Sequence, residues 1–348
     1  MASDAITEST NKNIASTTRD LWKRSVVSQV FLQMPLYTKL LLRQRVTWKG
    51  GVNITCPVQT SEQDGYGQWY STGTGMTAGH ASTLTKPWFG WKKFQQPVTF
   101  DIDEELQNSG GSETEVVDLA ALMVQQAHRA TRINLYKAMY RSATVDTDRQ
   151  FSSVVQALTH DQAYAHTTRT VGSSINTWWQ GASIDESYTD QATQRTWSIG
   201  TFRDAHDAAD RFVENDADYL CVVGSAGYLK LKAQVDASTY VTNPGELVKY
   251  GFESFTLDGV EVVKDKFLRA GGLPEETAAD QYPHRWFFLL NVNDWELRLH
   301  PKRAMTFKPF KWQGDVKDGP DEWLARVMMA GNLCCWRPNG SIFLSNVQ

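Results

Sequence analysis

The chain has 348 residues, an ordinary hydrophobic share of 41% and a formal net charge of −4. That length can bury a sizeable core and hold more than one domain. The weakly acidic balance argues against a tight nucleic-acid binder, which needs clustered Lys and Arg to displace counterions from phosphates, while a near-neutral surface lying beside DNA stays allowed. Four cysteines, Cys56, Cys221, Cys334 and Cys335, fit no metal spacing and no secreted disulfide framework, so reduced, buried thiols are expected. Residues 1–20 lack the apolar core of a signal peptide and no later run reaches bilayer-spanning length, which predicts synthesis in a cytosol and no membrane contact. Thirteen Trp are many for this length, and buried aromatic area dominates subunit contacts as well as cores.

In chain order, residues 1–20 are rich in Ser, Thr and Asn without hydrophobic periodicity, the pattern of an arm that orders against a partner. Residues 21–42 are dense in apolar side chains, among them Trp22, Phe31, Leu36 and Leu40, and are expected to form an extended arm with short helices, broken at Pro35. From Val46 the period becomes two: Val52, Ile54, Cys56 and Val58 alternate with Asn53, Thr55 and Pro57. A matching strand is expected at Val98, Phe100 and Ile102. The Gly-, Ser- and Thr-rich stretch between them is too long for an idle loop, so it reads as a two-stranded arm projecting from the body. Its aromatics Trp69, Tyr70, Trp88, Phe89 and Trp91 would stay in water unless another chain covered them.

Residues 112–141 carry the longest helical signal. Ser112 and Glu115 form a capping box, and Val116, Leu119, Ala120, Met123, Ala127 and Ala130 make a narrow stripe of mostly small residues. The helix would extend about 45 Å. Residues 145–215 read as irregular and polar, with apolar clusters at Val154, Val155 and Leu158 and at Trp178 and Trp179. Residues 219–223 are a fully apolar strand that enters a short helix through Gly224 and Ser225; 255–257 and 260–263 form a hairpin across Asp258-Gly259. Further strands are expected at 286–290, 295–300 and 305–310, then a short helix at 321–329, opened by Gly319 and Pro320 and closed by Gly331. A last hairpin between 333–337 and 342–344 turns at Asn339-Gly340. Strands and helices alternate without a strict βαβ rhythm, so the fold class is α+β.

Catalytic constellations are weak. VVGSAGY departs from the nucleophile-elbow spacing and reads as a strand-to-helix turn. His206, Asp207 and Asp210 lack a second cluster to complete a metal site and read as a solvated helix face. Asp101, Asp103, Glu104 and Glu105 are accounted for by the polar side of a strand. No phosphate-cradling or dinucleotide motif occurs, so no catalytic residue, metal or cofactor is assigned and the protein is not expected to be an enzyme. The rival is an aromatic-rich carbohydrate-binding or carbohydrate-cleaving protein, whose catalysis would need a positioned carboxylate pair.

The words MPLYTKLLLRQRVTWKGGVNITCPV, GQWYS, WKKFQQPVTFDIDEELQN, FTLDGVEVVKD, FFLLNVNDWELRLHPKRAMTFKPFKWQ and AGNLCCWRPNGSIFLSNV, in that order and spacing, resemble the tailed-bacteriophage major capsid protein with the Hong Kong 97-like fold. The resemblance covers nearly the whole chain. It implies an N-terminal arm (1–45), an extended loop (46–105), a peripheral domain with its spine helix (106–148), an axial domain (149–285) and the return strands of the peripheral domain (286–348). It implies a virion subunit that assembles in the host cytoplasm into hexamers and pentamers of an icosahedral shell around double-stranded DNA, bound without sequence specificity. A separate scaffolding protein, a portal and a decoration or cement protein are implied partners. Inter-subunit contacts are expected at Trp69, Tyr70, Trp88, Phe89, Trp91, Lys92 and Lys93. Some members weld subunits by a Lys–Asn isopeptide bond; Lys86, Lys92 and Lys93 with Asn332, Asn339 and Asn346 are the matching candidates, though most members use no such bond.

Overall fold

The computed structural model describes residues 34–60, 69–72, 83–101, 119–141, 149–160, 163–167, 169, 177–185, 193–213, 217–237, 244–269, 283–312 and 322–348. Residues 1–33, the middle of the extended loop and the Ser112–Glu115 capping pair lie outside them. Residues 97–101, 119–129, 308–312 and 322–326 belong to one compact unit and the other described residues to a second, larger one.

Helix α1 (Pro35–Leu42) begins where a break was expected. At the first helical position Pro loses no backbone bond and its fixed φ suits the turn, so it starts the helix. Leu36 and Leu40 are buried one turn apart, with Lys39 beside them. Strand β1 (Val46–Trp48) follows, then the short strands β2 (Ile54–Thr55), β3 (Val58–Gln59), β4 (Leu84–Thr85) and β5 (Trp88–Phe89). β2 pairs antiparallel with β5 and β3 with β4, so the two legs of the loop do meet. The returning leg is 84–89, however, not 98–102. Strand β6 (Lys92–Asp101) instead joins a larger sheet.

The spine helix α2 is described over Leu119–Met139, 21 residues and about 32 Å. Ala127 is buried, and Met123 and Ala130 partly so. In the larger unit the buried side is heavier than the small-residue stripe expected: Thr131, Leu135, Tyr136, Met139 and Tyr140. Helix α3 (Val154–Leu158) is capped by Ser153, whose Oγ accepts from Gln156 N at 2.9 Å. Helix α4 (Ile199–Asp210), inside the stretch expected to be irregular, is capped by Ser198 and buries Phe202, Ala205, Ala208 and Ala209 on one face.

Strand β7 (Tyr219–Val223) runs into helix α5 (Ser225–Ala237), longer than the short helix expected. Strands β8 (Ser254–Leu257) and β9 (Val260–Lys264) form the expected hairpin, with Asp258 and Gly259 at φ 48° and 84° in the tight turn. Then come β10 (Phe287–Asn291), β11 (Trp295–Leu299), β12 (Thr306–Trp312), β13 (Glu322–Cys335) and β14 (Ile342–Leu344). One sheet has the order β14-β10-β7-β9-β8, with β7 and β9 parallel and the other pairs antiparallel. The other has the order β1-β11-β13-β12, with β6 also on β13.

Strand alternation explains why β7 is apolar throughout. Tyr219, Cys221 and Val223 pack with Phe202, Leu231 and Phe287 in one core cluster. Residues between those alternate positions supply the opposite face, where Phe288 stacks on Phe343 (4.8 Å, 15°) and leans on Tyr140, just past the end of the spine helix. β10 lies beside β7 in this sheet and β14 lies outside β10.

Two expectations near the C-terminus are corrected. Residues 322–335 form a strand, not a helix from 321 to 329: Ala325, Val327 and Met329 are buried and Arg326 is exposed, a period of two. β13 pairs with β11 from Leu299↔Gly331 to Trp295↔Cys335 and also with β12 and β6, and this cross-strand pairing overrides the helix preference of its Met, Ala and Leu. The last hairpin is also absent, because β13 pairs with β11 whereas β14 pairs with β10; Pro338–Gly340 is a 3₁₀ turn linking two sheets. Gly331 sits where β11 leaves no room, since a Cβ there would lie 2.5 Å from Arg298 O. Gly331→Ala is expected to cost about 1–3 kcal/mol in urea denaturation, and an unchanged midpoint would refute the close approach.

Candidate assembly surface

The root of the extended loop is fixed by aromatic packing. Phe89, 2% exposed, meets Tyr164 and Trp336 edge-on at 5.2 and 5.5 Å. Trp91 Nε1 donates to Gly51 O at 2.8 Å across the two legs, and its ring meets His300 at 5.5 Å. Trp88 stacks on His166 at 3.5 Å and 10°. His166 reaches that place because Ala165 and His166 both take left-handed conformations (φ 51° and 60°) between the bridged residues Tyr164 and Thr167. Sequence reasoning missed this partner: 78 residues separate His166 from Trp88, and nothing local signals the pairing.

Beyond the root the side chains face water. Eleven large apolar side chains are exposed among the described residues, and six of them, Trp48, Val52, Trp69, Tyr70, Leu84 and Trp88, fall within 46–105. Trp69 is fully exposed and Tyr70 is 72% exposed. Of the expected contact residues, Phe89 is therefore reassigned: its own chain covers it, and it anchors the loop. Trp91 and Lys92 are half-buried and Lys93 is exposed.

The isopeptide candidates separate in the same way. Lys86 is exposed. Asn332 is 1% exposed; its Nδ2 donates to Gly90 O at 3.1 Å, and its Oδ1 accepts from Ser152 N and Leu333 N. That amide is sealed under the loop root and holds it in place, which leaves Asn339 and Asn346, both partly accessible.

The helix ahead of the loop is locked by charge. Lys39 Nζ donates to Glu246 Oε2 at 2.9 Å and Glu261 Oε2 at 3.1 Å, with Asp218 Oδ1 at 3.8 Å. Arg43 Nε pairs with Asp218. Glu261 Oε1 also accepts from Leu247 N (2.7 Å) and Ser254 Oγ (3.0 Å). Burial works against the Lys39 ammonium, but the hydrogen bonds and charges of the three acids outweigh it and raise its pKa. Hydrogen bonding from Lys39 in turn lowers that of Glu246.

VVGSAGY is the junction of β7 and α5. His206 meets Phe202 and Tyr219, and Asp207 pairs with Arg211 at 2.9 Å. Among the described residues no group of three His, Cys, Asp or Glu is placed to hold a metal, and no helix is long and apolar enough to cross a membrane. The four cysteines are free; burial raises the pKa of Cys221, Cys334 and Cys335.

No family model and no curated protein matches the sequence. Solved structures do. The chain is similar to the capsid asymmetric unit of cyanophage A-1(L), at 14% identity and a TM-score of 0.62 over 96% of this chain and 99% of that one. It is similar to the head structure of the Helicobacter pylori bacteriophage KHP40, at 11% identity and 0.55 over 95% and 96%. It is also similar to an encapsulin complex from Synechococcus elongatus, at 10% identity and 0.54 over 97% and 95%. The chain has the fold of the tailed-bacteriophage major capsid proteins, the Hong Kong 97-like fold.

Proposed function

We propose that the chain is the major capsid protein of a tailed double-stranded DNA bacteriophage, a structural subunit that assembles into hexamers and pentamers of an icosahedral shell. The observation that carries this reading is the concentration of exposed apolar side chains on a loop whose root is packed by Phe89 and Trp91. A rigid root with an apolar, water-exposed span suits burial on a neighbouring copy, and repetition of that heterologous contact closes under symmetry. The N-terminal arm, the expected contact residues Trp69, Tyr70, Trp88, Trp91, Lys92 and Lys93, and the division into peripheral and axial domains are part of the proposal. So are a scaffold, a portal, a decoration protein, the packaged DNA and residence in the virion.

The test is sedimentation of the expressed chain, alone and with its neighbouring genes, with negative-stain imaging of the fastest fraction. Rings or closed shells are expected. Trp69→Ala with Tyr70→Ala should leave the subunit folded, with an unchanged urea midpoint, and reduce shell yield at least about tenfold. A wild-type monomer that never assembles would sink the reading and favour the carbohydrate-binding rival. The encapsulin likeness favours a second reading, a shell without a genome. Nuclease-protected DNA inside shells formed during phage growth separates the two: its presence supports the phage capsid, and its absence supports the compartment.

A further inference from the structure

An open cavity of about 350 Å³ lies in the larger unit between β6, α2, the start of 149–151 and β13. Phe94, Leu135, Phe151 and Met329 give it an apolar floor, and Leu135, Phe151 and Met329 are themselves buried. Four cations surround that floor: Lys93, Lys137, Arg141 and Arg149. Among the described residues no carboxylate lines it, and Lys93, Lys137 and Arg149 form no ion pair. Elsewhere in this weakly acidic chain cations do meet acids, as Lys39, Arg43, Arg203, Arg211 and Lys264 show. Four like charges around one apolar depression raise the local potential and favour an anionic guest.

Apart from Lys93, also an expected contact of the extended loop, the residues proposed for the loop contacts lie outside this cavity. We propose that the cavity is a binding site for an acidic peptide segment of another protein, in which one bulky apolar side chain is flanked by carboxylates. The volume admits such a side chain, the floor gives it apolar contact, and the rim pairs with its neighbouring carboxylates. A nucleic-acid backbone fits less well, because phosphates and sugars leave the apolar floor uncovered. The recognition chemistry is independent of the shell reading, so failure of one leaves the other standing.

The test uses the full-length unassembled subunit and fluorescence anisotropy with a fluorescein-labelled peptide of sequence Glu-Glu-Phe-Glu-Glu. Binding should weaken about tenfold or more when the peptide's Phe becomes Ala, or when its Glu residues become Gln. It should weaken similarly in the Lys137→Glu, Arg149→Glu double variant, and in Ala138→Leu, which fills the cavity while keeping every charge. Urea midpoints check that both variants fold. Absence of binding, or binding indifferent to both variants, overturns the proposal. So does a labelled oligothymidylate that binds more tightly than the peptide and ignores Ala138→Leu, which would make the rim a phosphate contact.

Discussion

Replacing Lys39 with Met should destabilise the unassembled subunit by about 3–5 kcal/mol in urea denaturation, the range for removing one partner of a buried ion pair. The Lys39 side chain is 3% exposed and its partner Glu261 is 7% exposed. Without the ammonium, the Glu261 carboxylate keeps only its bonds from Leu247 N and Ser254 Oγ, and its charge has no buried counterpart. A Met side chain fills the space but supplies no charge. Combining Lys39→Met with Glu261→Gln should recover part of the loss, since the uncompensated charge goes and the acceptor for Leu247 N stays. Arg43, with a side chain 41% exposed, should matter far less. A loss under 1 kcal/mol for Lys39→Met would mean that the cluster is solvated in practice. The position gives the effect a functional side: α1 joins the N-terminal arm to the extended loop, so loosening it frees the bases of both segments proposed to reach neighbours.

What could be read from the sequence follows the range of the interactions involved. The β8–β9 hairpin was legible because Asp258-Gly259 specifies its turn within two residues. β7 was legible from an apolar run bounded by Gly224, and the spine helix from sustained helical spacing. β13 was not. Its Met-, Ala- and Leu-rich sequence prefers a helix locally, and only pairing with strands remote in sequence, β6, β11 and β12, decides otherwise. Asn339-Gly340 misled for a related reason: a turn signal names a bend but not which sheet each flanking strand joins. On the assembly surface, the aromatics of the loop were visible as a group, yet alternation alone could not tell buried Phe89 from half-exposed Trp88, because the difference is made by Tyr164 and Trp336. The Lys39 cluster and the basic cavity were invisible for the same reason: their parts lie far apart in sequence.

The larger unit should also lose stability as pH rises from about 3 to about 7, by roughly 3 kcal/mol, through Asp265. Its carboxyl is 1% exposed; Oδ2 accepts from Tyr136 OH and Oδ1 from Phe267 N at 2.8 Å. Burial pushes its pKa up from 3.8 to about 6, against the opposing hydrogen bonds of Tyr136, Phe267 N and Tyr140. Because the folded pKa lies above the unfolded one, the folded state holds more protons between them. Stability is therefore highest below the unfolded value and declines until Asp265 is ionised in both states. This runs opposite to Glu246, whose lowered pKa stabilises at neutral pH and is lost on acidification. Asp265→Asn separates the two, since it removes only the Asp265 titration and keeps a side chain of the same size. The stability of the variant minus that of the wild type should rise by about 3 kcal/mol between pH 3 and pH 7, measured as urea unfolding of the unassembled subunit. Parallel pH curves would mean that Tyr136 and Phe267 N already hold Asp265 ionised at pH 4. The position again bears on assembly, because Tyr136 belongs to the spine helix, Tyr140 directly follows it, and Asp265 directly follows β9. Ionising that carboxyl as pH rises weakens the seat of the spine helix on the sheet, which gives the chain an acid-stabilised core contact.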